Sequence, residues 1–355
     1  MSNVDAQDHS AVPLVSKEAA DALWRCFLEN EDAYFEMPNV ELLDSLNLLM
    51  EVYAPGVAME VSGDNDDSER HLILTAHGDK GQFLSLRTLH HAAPNLKRFS
   101  TVTAFRQRAL HPEFGINMDG MELLAQDIQV GLFSDGGLVG LELAFSNAIS
   151  LDRIELAQHI AFILLDHVIG EYDFAVRVGF VEFADQVSAS AERTCALNKL
   201  PETFDLFLRD SLGHTWEWPG NGEKEHWVML MVPSEEEDGR PNIVSVRHDA
   251  NTVALRADFS HCLDVSVDVR DQDSVERARD LQETLRQVLE ADRSAILVLT
   301  MVMMDEGRRI CRFYLDDPSA WTEEVREVSQ RHGFDAPNME ITFDPSWDGY
   351  FEFKR

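Results

Sequence analysis

Four histidines, His77, His90, His91 and His111, have the residue type best suited to hold a metal, because neutral imidazole is a common ligand of zinc and nickel. Their spacing argues against it. Neighbours on a helix point roughly 100° apart, so His90 and His91 do not both face one ion. A partly exposed helix end accounts for the pair. His159 and His167, with Asp166 and Glu171 nearby, have the residue types of an acid–base couple. Eight residues of helix amount to about 12 Å of rise, too far for one site, and both read as histidines of a core or its rim. The chain contains no G-x-S-x-G, phosphate-binding loop, G-x-G-x-x-G, H-E-x-x-H or zinc-spaced cysteine set. No catalytic residue, metal ligand or cofactor is assigned, and an enzyme is the less expected class.

Three other groups have the makings of a binding surface. Trp216, Trp218 and Trp227, with His214 and His226, form the densest aromatic cluster. Aromatic side chains in loops bury much area at low entropic cost and so make interface anchors; the ordinary alternative is a lid over a sheet. Arg308, Arg309 and Arg312 make a basic island in an acidic chain. Strand alternation places Arg308, Ile310 and Arg312 on one face and Arg309 and Phe313 on the other. A phosphate or carboxylate site is one reading, and ion pairing with Asp316, Asp317 or Asp344 is the preferred one. Trp347 and Tyr350, near the end of the chain, read as anchors packed over a sheet edge or open face. These eight residues are the candidate binding set.

The elements that must position them belong to an acidic chain of 355 residues with a formal net charge of −34 and 45% hydrophobic residues. That length suits two domains, each able to bury a core. The charge repels nucleic-acid phosphate and anionic lipid, so neither is an expected partner. No apolar run approaches the roughly 20 residues that span a bilayer, and residues 1–13 lack the pattern of a secretory signal. Cys26, Cys195, Cys262 and Cys311 are scattered, as in a reduced cytoplasmic protein.

Periodicity predicts an α+β chain. A helix from Val15 to Asn30 with Ser16 at its N-cap, a second after Pro38, then strand, acidic turn, strand, helix and strand lead to Phe105. A second β-β-α-β run follows: strands 128–133 and 138–145 about Ser134-Asp135-Gly136-Gly137, a helix ended by Gly170, and a strand over 174–183. The two units predict one mixed sheet with helices packed on it, in a domain over 1–190. Small and polar residues from Asp185 to Pro201 mark the boundary to a domain over 191–355. Within it the order β-α-β-β-α-β over about 261–344, with Ser274 capping the first helix, predicts a ferredoxin-like α/β plait.

The run Arg308-Arg309-Ile310-Cys311-Arg312-Phe313-Tyr314 and the run Asp344-Pro345-Ser346-Trp347-Asp348-Gly349-Tyr350 resemble the bacterial family called domain of unknown function 695, over the last third of the chain. The stretches His71–Gly78, Ala92-Ala93-Pro94 and Ala104-Phe105-Arg106 resemble a segment found beside such domains. That family is similar in fold to the regulator of ribonuclease activity B, an acidic protein that binds and inhibits a ribonuclease. The resemblance implies protein binding and supplies no catalytic residues. The leading expectation is therefore a non-enzymatic regulator, inhibitor or immunity-type protein that binds a partner with a basic surface, as monomer or homodimer. The alternatives are a hydrolase or metal-dependent enzyme with a site between the domains, and a structural or dimerisation module.

Overall fold

The computed structural model describes residues 12–63, 70–109, 111, 114–220, 225–233 and 239–354. The acidic turn at 64–69, residues 234–238 and the N-terminal residues 1–11 lie outside them.

Ser16 accepts a hydrogen bond from the Ala19 amide and starts α1 (Lys17–Glu36), the expected cap. α2 (Asn39–Tyr53) follows Pro38 and buries Leu42, Leu46, Leu49 and Met50. Next come β1 (Ala58–Ser62), β2 (His71–Thr75), α3 (Phe83–Ala92) and the short β3 (Val102–Ala104). β1 is antiparallel to β2 and β3 parallel to it, which is the predicted ββαβ unit.

A hairpin of β4 (Gly115–Met118) and β5 (Met121–Leu124) was not foreseen. Its turn is Asp119-Gly120, with φ of 48° and 73°. An Asp-Gly pair with both φ positive is a tight hairpin connection; the signal was present, but the flanking strands are too short to show a period. β6 (Ile128–Asp135), β7 (Leu138–Phe145) and α4 (Ile154–Ile169) follow as expected, and Gly170 ends the helix at φ 82°. The strand predicted over 174–183 is half helix: α5 (Glu171–Arg177) precedes β8 (Val178–Phe183). β9 (Arg193–Ala196) and α6 (Leu200–Asp210) complete this part.

Two corrections follow. The two ββαβ units form separate sheets, β1-β2-β3 and β8-β7-β6-β9, and not one. The boundary expected at 190 also moves. β9 pairs with β6, and Phe204, Phe207 and Leu208 of α6 enter the same core as β6 and β7, so residues through Leu212 stay with what precedes them. The small, polar residues around 185–192 are a connection inside a sheet and not between domains.

The last part holds β10 (Trp227–Val232), β11 (Asn242–Arg247), β12 (His261–Asp268), α7 (Gln272–Leu289), β13 (Ala295–Met303), β14 (Arg308–Leu315), α8 (Thr322–Arg331), β15 (Asn338–Phe343) and the one-turn α9 (Asp348–Phe351). Strand order β13-β14-β12-β15, all neighbours antiparallel, with α7 and α8 on one face, is the predicted plait. The hairpin β10–β11 extends it past β13 to six strands. Asp271, not Ser274, is the N-cap of α7; the Ser274 hydroxyl returns to the Asp271 amide in a capping box.

The helix face encloses Leu263, Val265, Leu281, Leu285, Leu297 and Phe313. The opposite face is covered as well. Val244, Val246, Ile296, Leu299 and Tyr314 share one apolar core with α1, α2, β2 and α3. The sheet that would be open in an isolated plait is thus the floor on which the N-terminal helices are built.

Candidate functional site

The two sequence runs that carry the family resemblance meet on that floor. Arg312 of β14 donates from Nε and Nη2 to the Asp264 carboxylate, at 2.8 and 2.7 Å, and from Nη1 to the Gly349 carbonyl at 2.8 Å. Tyr314, two residues on and so on the same face, donates its hydroxyl to Asp344 at 2.5 Å and stacks on Trp347 with ring centroids 4.1 Å apart. The Trp347 indole N–H donates to the Phe259 carbonyl at 2.8 Å, and the Tyr350 hydroxyl to the Arg247 carbonyl at 3.0 Å. Asp344 also accepts the amides of Asp348 and Gly349, which closes α9. A Cβ on Gly349 would stand 2.8 Å from Arg312 Nη1, so a larger residue there would push the guanidinium from its place. Trp347 and Tyr350 are fully buried. Trp347 and Tyr350 therefore have an architectural task, and neither faces solvent for a partner.

The other candidates scatter. Arg308 pairs with Glu306, inside its own hairpin, and Arg309 on the opposite face donates to Gln282 of α7. Arg308 and Arg312 form ion pairs with Glu306 and Asp264, and not with the expected Asp316, Asp317 or Asp344. The tryptophans do not gather. Trp216 stacks on His214 and lies under the Arg177 guanidinium, 4.6 Å from ring centroid to Cζ, and remains 36% exposed. Trp218 packs toward Phe259 on the floor core, whereas Trp227 packs on the helix face of the sheet and donates to Glu225. A sheet separates them. His214 itself is buried, with Nδ1 2.9 Å from the Asn251 carbonyl and Nε2 2.8 Å from the Gly137 carbonyl. Burial holds its pKa below the usual histidine value, with the two carbonyls opposing.

Among the described residues no group of three or more His, Cys, Asp or Glu side chains is placed to hold a metal. His90 and His91 lie side by side on α3, His77 is exposed beyond β2, and His167 turns its Nδ1 to the Ile163 carbonyl. Burial pushes the Cys262 and Cys311 thiols up to about 12, so neither supplies a thiolate. Among the described residues no helix is long and apolar enough to cross a membrane.

The role of one residue named only as a neighbour of His167 was missed. Glu171, the first residue of α5, is fully buried. Its Oε1 accepts the amides of Ala76 (2.8 Å) and Gly78 (3.1 Å), and its Oε2 accepts the amide of Arg106 (3.0 Å). His77 and Gly78 both take positive φ, 51° and 80°, which turns these amides inward. Arg106 then binds Glu60 and Asp166, and Arg108 binds Asp173 and Asp205. The runs His71–Gly78 and Ala104–Arg106, noticed in the sequence, are the receptor for this carboxylate. Nothing local identifies Glu171 as their partner, because it lies 93 residues from Gly78 along the chain.

Where α3, β3, α5 and the floor meet, a pocket of about 320 Å³ is lined by Phe83, Arg87, His90, Phe105, Tyr172 and Phe343 among others. Arg87 is committed to Asp316 (2.6 Å) and to the Ser260 hydroxyl (3.1 Å), so the walls offer a ligand chiefly apolar contact. The Tyr172 hydroxyl is buried and has no hydrogen-bond partner among the described residues. Burial raises its pKa and keeps it protonated. An unpaired buried hydroxyl costs about 1–3 kcal/mol. Tyr172→Phe is therefore expected to leave the protein as stable or more stable by about 1 kcal/mol in thermal unfolding. A clear loss of stability would show that the hydroxyl has a partner.

Neither the comparison with curated proteins nor that with solved structures finds a match to this chain. Residues 225–354, which contain the whole plait and both interlocking runs, match the family described as "Family of unknown function (DUF695)".

Proposed function

We propose that this protein is a non-enzymatic regulator or inhibitor that binds a protein partner with a basic surface. The observation that carries the reading is how the charge is disposed. Many arginines are spent internally: Arg106 on Glu60 and Asp166, Arg108 on Asp173 and Asp205, Arg247 on Glu290, and Arg312 on Asp264. The acid excess of a chain with net charge −34 is left to the surface. On α1 and α2 alone, Glu18, Asp21, Glu29, Glu41, Asp44 and Glu51 are exposed. A field of this sign speeds encounter with a basic protein and repels phosphate. The four cysteines stand free, which suits a reducing compartment such as the cytoplasm.

The test is capture of partners on the immobilised protein at low and at high ionic strength. A basic protein should be held at low salt and released at high salt. Changing Glu18, Asp21, Glu41 and Asp44 to their amides should weaken the capture. A partner held equally at both ionic strengths would sink the electrostatic reading.

A further inference from the structure

We infer that the outer edge of β10 is where such a partner docks, by adding one strand to the six-stranded sheet. The place rests on β10 alone; the basic chemistry of the partner rests on the reading above. Among the described residues β10 is the terminal strand and pairs on one side only, with β11, in an unbroken register from Trp227↔Arg247 to Val232↔Asn242. A terminal strand presents a row of unpaired amides and carbonyls, and proteins usually blunt it with lysine, proline, a bulge or a covering element. The run Trp227-Val228-Met229-Leu230-Met231-Val232 has no charge, no proline and no glycine, and its register has no bulge.

The two faces of this strand differ. Leu230 and Val232 pack against the floor core. Met229 and Met231 alternate onto the face of Trp227, and they are 70% and 76% exposed, although farther along the sheet that face lies under α7 and α8. Exposed methionines on an open edge supply adaptable apolar contacts, while the backbone supplies the hydrogen bonds of strand addition.

Charge selects the occupant. A second copy would bring another −34 to the edge. In sequence, Glu223-Lys224-Glu225 come just before the strand, with Glu225 paired to Arg286, and the four acids Glu235, Glu236, Glu237 and Asp238 just after it. Antiparallel self-pairing would set these acids against acids. The matching occupant is an extended segment of another protein, with apolar side chains at alternate positions and Lys or Arg at its ends.

Fluorescence anisotropy on the full chain tests this with three labelled peptides. One alternates valine and threonine with two lysines at each end, the second is the same peptide N-methylated at alternate amides, and the third carries glutamates in place of the lysines. The lysine peptide should bind. N-methylation should weaken it by about tenfold or more, because it removes two or three backbone hydrogen bonds. The double variant Met229→Glu/Met231→Glu should also weaken it, although added acid alone would tighten a purely electrostatic contact. Equal binding of the methylated peptide, or tighter binding to the double variant, would overturn the edge and leave the basic-partner reading intact. Loss of every peptide while salt-sensitive capture persists would do the same. A glutamate peptide that binds as well as the lysine one would keep the edge and remove the basic partner. A homodimer in light scattering that the double variant dissociates would show a second copy to be the occupant and overturn the inference.

Discussion

Glu171→Ala is expected to destabilise the protein by about 3–5 kcal/mol in urea unfolding, more than a typical surface change by several-fold. The carboxylate is fully buried and holds the amides of Ala76, Gly78 and Arg106. Truncation leaves three buried donors without an acceptor and opens a polar cavity in place of a charge stabilised by three dipoles. The site cannot readily collapse, because both sides are fixed. The Glu171 amide donates to the Arg106 carbonyl at 3.0 Å, and a Cβ on Gly170 would already stand 3.1 Å from the Arg108 amide. Glu171→Gln should recover only part of the loss. Its amide nitrogen would put a donor against donors on one side of the group. A cost below about 1 kcal/mol for the alanine variant would mean that the three amides find other acceptors, and that this carboxylate does not join the two parts of the chain.

Trp347→Ala should cost a similar amount, about 3–5 kcal/mol by thermal unfolding. The side chain is fully buried, stacked on Tyr314 and edge-on to Tyr350, with centroids 5.5 Å apart. Its loss empties a large volume between the floor strands and the closing run, and it leaves the Phe259 carbonyl without its indole donor. The backbone at Trp347 is left-handed, at φ 56°. That conformation is uncommon for a bulky residue, so the packing of the ring helps to hold it there. A variant as stable as the parent would show that α9 and the residues after it are held by Tyr350 and Asp344 alone.

These two residues divide what was legible from what was not. The plait was legible because its evidence is local. Alternating apolar residues from His261, a capped helix of helical period and the nearly continuous apolar run of β13 each declare their element. The order of those elements then leaves few right-handed, uncrossed ways to pair them. Helices α1, α2 and α4 were legible for the same reason. The closing run was read as an anchor from its aromatic residues, but its partner was not legible: only the fold set Trp347 on Tyr314, 33 residues earlier in the chain.

The chain's own pattern determined that it folds, largely which segments are helix and strand, that the C-terminal part is a plait, and that its net charge is strongly negative. Tertiary structure alone decided the rest. It split the two ββαβ units into separate sheets, converted residues 171–177 into a helix that presents Glu171 to distant amides, and put Trp218 and Trp227 on opposite faces of one sheet. It also covered the plait's open face and, among the described residues, left the edge of β10 unpaired. The physical reason is the same in each case. Periodicity reports what a segment does with its own neighbours, whereas burial of a carboxylate, pairing of a strand and exposure of an edge depend on residues tens to hundreds of positions away.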